Sequence, residues 1–71
     1  MSATPEKLIH NINQTAAYFA AYPHDEAVRG LADHFNKFWE PRIRAKLHDV
    51  IKAKDARLHP LVFDAAPTMK P

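Results

Sequence analysis

The stretch Phe38-Trp39-Glu40-Pro41-Arg42-Ile43-Arg44 decides how this chain folds. Proline has no backbone N–H and its ring excludes the helical conformation from the residue before it, so Pro41 sets a boundary at Glu40. The same residue is favoured at the first position of a new helix. The stretch therefore reads as the joint between two helices, and it holds the only tryptophan of the 71-residue chain. An aromatic anchor beside a rigid bend with two arginines is also the composition of a docking corner.

Upstream of the joint, Ala27, Val28, Leu31, Ala32, Phe35, Phe38 and Trp39 recur at helical spacing. They cover an arc of roughly 140° and predict a helix over 25–40, with Phe35 and Phe38 in the core. Asp25 and Glu26 suit its first turn. Gly30 falls on the other face, at a cost of about 1 kcal/mol relative to alanine. Further back, Thr4-Pro5-Glu6 reads as a helix start with Thr4 as the cap. Leu8, Ile9, Ile12, Ala16, Phe19 and Ala20 then share a face of roughly 120° in a helix over 5–22, ended by Pro23. Downstream, Ile43, Leu47, Val50 and Ile51 give a narrower stripe to a helix over 41–54. His59-Pro60 opens a short helical segment over 60–65, and Ala65-to-Pro71 reads as a flexible tail over 66–71. The expected fold is all-α: one domain over 1–65, a small bundle of three amphipathic helices plus a short C-terminal helical segment.

No Asp, Glu, Lys or Arg occurs from Leu8 to Pro23, although the chain holds ten basic and eight acidic residues. A helix with one face in its own core normally carries charge on the other. Here that other face offers Asn11, Tyr18 and Tyr22 on one flank and His10, Ala17 and Ala21 on the opposite one. Interface cores are depleted in charge and enriched in tyrosine, so a partner is expected to cover this helix.

The residues give little to catalysis. The five histidines, at 10, 24, 34, 48 and 59, include no pair three or four apart on one helix, the spacing that brings two imidazoles to one metal. His34, at the edge of the second stripe, reads as tucked against the core and hydrogen-bonded. There is no cysteine and no glycine-rich phosphate loop. No metal, cofactor-binding or catalytic site is expected. A net charge of +2 implies no polyanionic partner. Arg44 and Lys52 point away from Arg42 and Lys46, and Asp49 interrupts them, which argues against nucleic-acid binding. No leader or membrane span is evident, and a cytoplasmic location is expected.

The segments Asp25-Glu26-Ala27-Val28 and Ala32-Asp33-His34-Phe35-Asn36-Lys37-Phe38-Trp39-Glu40-Pro41-Arg42-Ile43-Arg44 resemble the delta subunits of NAD-dependent, molybdenum-containing formate dehydrogenases. Lys7-Leu8-Ile9, the Asn13-Gln14 pair and Leu58-His59-Pro60-Leu61 extend the likeness over most of the chain. Ile43 stands where those proteins often carry methionine. The resemblance implies a non-catalytic accessory subunit docked on a catalytic alpha subunit, in a complex with beta and gamma subunits. There the other chains hold molybdenum (or tungsten) bis-pyranopterin guanine dinucleotide, iron–sulfur clusters, FMN and NAD. The expected partner interface is Phe38, Trp39, Pro41, Arg42 and Arg44, supported by Tyr18 and Tyr22. Arg42 and Arg44 are expected to reach carboxylates or carbonyls of the partner. A maturation factor for molybdenum cofactor insertion, or a small helical nucleic-acid binder, are the alternative readings.

Overall fold

The computed structural model describes residues 5–70. Its elements are α1 (Pro5–Phe19), α2 (His24–Phe38), α3 (Pro41–Lys52), α4 (Pro60–Ala65) and one 3-10 turn, Ala66–Thr68. No strand occurs among the described residues. The small all-α bundle expected from the sequence is the fold found. The expected cap Thr4 lies outside the described residues. Both long helices stop short of the expected ends: α1 at Phe19 rather than Tyr22, and α2 at Phe38 rather than Glu40.

α1 and α2 run antiparallel through the turn at 20–23, and α4 closes the core against both. Ile9, Ile12 and Ala16 of α1 meet Ala27, Leu31, Ala32 and Phe35 of α2. Leu58, Leu61, Val62 and Ala65, around α4, complete that core. Ala20, expected on the buried face, is exposed because α1 has already ended. α3 is held more loosely: Leu47 is fully buried, whereas Ile43, Val50 and Ile51 are only half-buried.

Gly30 is not on an open face. A Cβ there would lie 2.8 Å from two ring carbons of Phe19, so the glycine lets that ring rest on the α2 backbone.

α3 ends in a Schellman motif. The Lys54 N–H donates to the Ile51 carbonyl at 2.9 Å, the Asp55 N–H to that of Val50 at 3.3 Å, and Lys54 takes a φ of 54°. Asp55 then organises the next turn. Its carboxylate accepts from the Arg57 backbone N–H at 2.9 Å and from the guanidinium at 3.0 and 2.8 Å. Those hydrogen bonds hold the Asp55 carboxyl down at about 2 and raise the Arg57 guanidinium. α4 is capped by His59, whose Nδ1 accepts from the Leu61 N–H at 3.1 Å, with Pro60 at the first helical position.

Two asparagines fasten the loops to the long helices. The Asn13 side chain donates to the Arg57 carbonyl and accepts from the His59 N–H, both at 2.8 Å. Asn36 does the same to residues 68 and 70. It donates to the Thr68 carbonyl at 3.4 Å and accepts from the Lys70 N–H at 2.7 Å. Each amide thus pairs with a carbonyl and an N–H two residues apart, as a neighbouring strand would.

The tail expected to be flexible over 66–71 is instead packed over 66–70. Met69 is buried in the core, and the Lys70 carbonyl meets His48 Nε2 at 2.7 Å. Its apolar anchor and the Asn36 clamp supply the physical reason.

Candidate functional site

The α2–α3 joint is built from inside. Pro41 opens α3 with its fixed φ, and Glu40 stays extended before it. The last carbonyls of α2 have no partner within the helix. Arg44, one turn into α3, donates from Nη1 to the carbonyls of Asn36 at 3.2 Å and Trp39 at 2.7 Å. A cation at a helix C-terminus also opposes the negative end of the helix dipole. Arg44, expected to reach a partner, thus has its Nη1 engaged within the chain, where it fastens the corner. Arg42 is exposed and makes no hydrogen bond or ion pair among the described residues. Pro41 is exposed beside it.

Trp39 is half-buried, its ring standing edge-on to Phe35 at 4.6 Å. Phe38, expected in the core, is instead 72% exposed. Next to it α1 and α2 leave an open groove of about 660 Å³. Leu8, Asn11, Gln14 and Thr15 form one wall, and Phe38, Trp39, Glu40 and Ile43 the other. No other part of the described chain covers Phe38 in the last turn of the α2 stripe.

Tyr18 and Tyr22 are exposed on the same side. Their rings lie 6.3 Å apart, and the neighbouring Tyr18 hydroxyl pushes that of Tyr22 above its ordinary value. From Tyr18 the rings continue through Phe19 at 5.1 Å, His34 at 5.8 Å and Phe38 at 5.1 Å. His34 thus has aromatic rings as its partners, where the sequence suggested a hydrogen-bonded histidine. Of the seven expected interface residues, Tyr18, Tyr22, Phe38, Pro41 and Arg42 are exposed around this band or the adjoining corner, and Trp39 and Arg44 are half-buried.

Sequence reasoning missed Asn13, Asn36 and Gln14. Asn13 borders the apolar face of α1, which was an available signal; Gln14 and Asn36 lie among polar or uncharged surface positions and gave none. Asn13 and Asn36 act within the chain, while Gln14 lines the groove. No group of three His, Cys, Asp or Glu side chains able to hold a metal occurs among the described residues. No described helix is long and apolar enough to cross a membrane.

The family model described as NADH-dependent formate dehydrogenase delta subunit FdsD matches residues 7–66. No curated protein and no solved structure matches. The matched span contains the groove, the aromatic band and the joint.

Proposed function

The chain belongs to the FdsD family of formate dehydrogenase delta subunits, and from that premise we propose that it is a non-catalytic accessory subunit docking on the catalytic subunit of an NAD-dependent formate dehydrogenase. The observation that carries the docking reading is the continuous aromatic band on one face. Tyr18, Tyr22 and Phe38, three of the seven aromatic residues, remain 65, 47 and 72% exposed, and rings connect them. Clustered aromatics without intervening charge belong in the centre of an interface.

In this reading the subunit acts by packing. It binds the assembled complex better than the dissociated chains and stabilises it by mass action. Phe38, Trp39, Pro41 and Arg42 form the docking corner, Tyr18 and Tyr22 extend it, and Arg44 holds its shape. Formate oxidation and electron transfer to NAD belong to the other, cytoplasmic chains of the complex, including beta and gamma subunits. Molybdenum bis-pyranopterin guanine dinucleotide, iron–sulfur clusters and FMN sit there.

Co-purification tests it. The tagged chain, expressed in cells making the enzyme, should retain formate dehydrogenase subunits identified by mass spectrometry. Phe38→Ala and Arg42→Ala should weaken that retention while leaving the chain folded. Failure of the wild-type chain to retain those subunits overturns the reading.

A further inference from the structure

On α1, Leu8, Asn11, Thr15 and Tyr18 follow the 3-4-3 spacing of a heptad seam. The adjacent residues Ile9, Ile12, Ala16 and Phe19 follow the same spacing one position on. The two seams have different fates. Ile9, Ile12 and Ala16 are buried, with Phe19 packed against them. Asn11 and Tyr18 are exposed, and Leu8 and Thr15 are half-covered. A helix with two adjacent seams is built to touch neighbours on both sides, as in a bundle, and knobs at heptad spacing fit the surface of another helix. Leu8, Asn11 and Thr15 of the exposed seam line one wall of the groove, Tyr18 continues that seam into the adjoining hollow, and Phe38, Trp39 and Ile43 face it from the α2–α3 joint.

Charge narrows the occupant. Glu40 is the one charged residue lining the groove, and it makes no ion pair among the described residues. A charged stripe pressed into this channel would lose hydration without finding a counter-charge, except opposite Glu40. Asn11 at a seam position offers an amide, the type of group that fixes register between helices at some cost in stability.

We infer that the groove receives an amphipathic helix of the partner subunit, with an uncharged heptad stripe against Leu8, Asn11, Thr15 and Tyr18 and a cation opposite Glu40. The inference rests on the docking reading above and specifies the shape and chemistry of what docks.

The test uses the full-length chain co-expressed with the formate dehydrogenase subunits. Asn11→Glu and Tyr18→Glu put a carboxylate into the seam. His10→Glu and Ala17→Glu put one on the opposite flank of the same helix, where both side chains are exposed. The seam variants should lose retention at least tenfold, and the flank variants should stay within about twofold of wild type. Unfolding midpoints of all four keep folding effects apart. A photo-crosslinking side chain at position 15 or 38 should then mark partner residues spaced three or four apart. Seam and flank variants that behave alike overturn the inference, as do crosslinks to an extended segment or a second copy. If the wild-type chain retains the subunits in such a result, the seam alone is wrong. If the wild-type chain retains nothing, the docking reading falls with it.

Discussion

Arg44 donates a hydrogen bond to the carbonyl oxygen of Trp39 at 2.7 Å, across the proline that separates their helices. A second, to Asn36 at 3.2 Å, ties the same guanidinium to the last turn of α2. Neighbouring Arg42 does nothing comparable. Hydrogen bonds to a charged group contribute about 1.5–3 kcal/mol where buried, and this one is partly exposed. Arg44→Met is expected to cost about 1–2 kcal/mol in urea unfolding and to shift the emission of Trp39. Arg42→Ala should stay within about 0.5 kcal/mol of wild type. Equal stability of the two variants would show that Arg44 does not hold the joint.

Local pattern made the helices legible. The stripe Ala27, Leu31, Ala32 and Phe35 is buried as its spacing predicts, and Pro41 opens α3 where its chemistry requires. Interactions between distant residues were not legible. Nothing near Arg44 in sequence says which way its side chain turns, since that depends on where α2 ends. Phe38 lies within the α2 stripe by angle, yet the groove beside it leaves the ring uncovered. Periodicity reports a direction and is silent on whether anything lies there. The exposed aromatic band was half-visible: the absence of charge from Leu8 to Pro23 pointed to the right helix, and packing was needed to show which flank.

Asn36 binds the C-terminal segment by its side chain while its own carbonyl accepts from Arg44. Asn36→Ala removes the 2.7 Å bond from the Lys70 N–H and leaves Met69 as the remaining apolar anchor. A loss of about 1 kcal/mol is expected, as for one net hydrogen bond. The sharper readout is hydrogen exchange, in which the amide of Lys70 should lose its protection while those of the α1 interior keep theirs. Unchanged protection at Lys70 would mean that the clamp contributes nothing.

Lys54 occupies the left-handed position of the Schellman motif, where a Cβ is strained by roughly 1–2 kcal/mol. Glycine removes that strain but gains entropy in the unfolded chain. The net expectation for Lys54→Gly is a stabilisation of about 0.5–1 kcal/mol, seen as a higher urea midpoint with an unchanged slope. A lower midpoint would contradict the conformational argument.

Asp55 titrates at about 2 in the folded chain against an ordinary 3.8, through its hydrogen bonds from Arg57. The sign follows from that order. Above about pH 5 the carboxylate is ionised in both states and its contribution to stability is complete. As the pH falls below 3.8 the unfolded chain takes up the proton first, and the contribution drains away until the folded group also protonates near 2. The stability difference between wild type and Asp55→Asn should therefore be constant from pH 7 to 5 and shrink between 4 and 2. A difference that grows on acidification would reverse the assignment.

Gly30 and Phe19 set two rules against each other. By propensity alone, alanine at position 30 of a helix gains about 1 kcal/mol over glycine. By packing, the added Cβ would sit 2.8 Å from the Phe19 ring, a separation that real Cβ atoms do not adopt. The ring must then lift from α2, and overpacking of this kind costs about 1–3 kcal/mol. Moving it also disturbs His34, 5.8 Å from Phe19, and through His34 the exposed Phe38. Gly30→Ala is expected to destabilise by about 1 kcal/mol net and to weaken subunit retention. Phe19→Leu, which shortens the obstructing ring, should restore the favourable sign of the alanine when the two changes are combined. A stabilising Gly30→Ala in the wild-type background would show that the Phe19 ring yields freely and that the band is not fixed by that glycine.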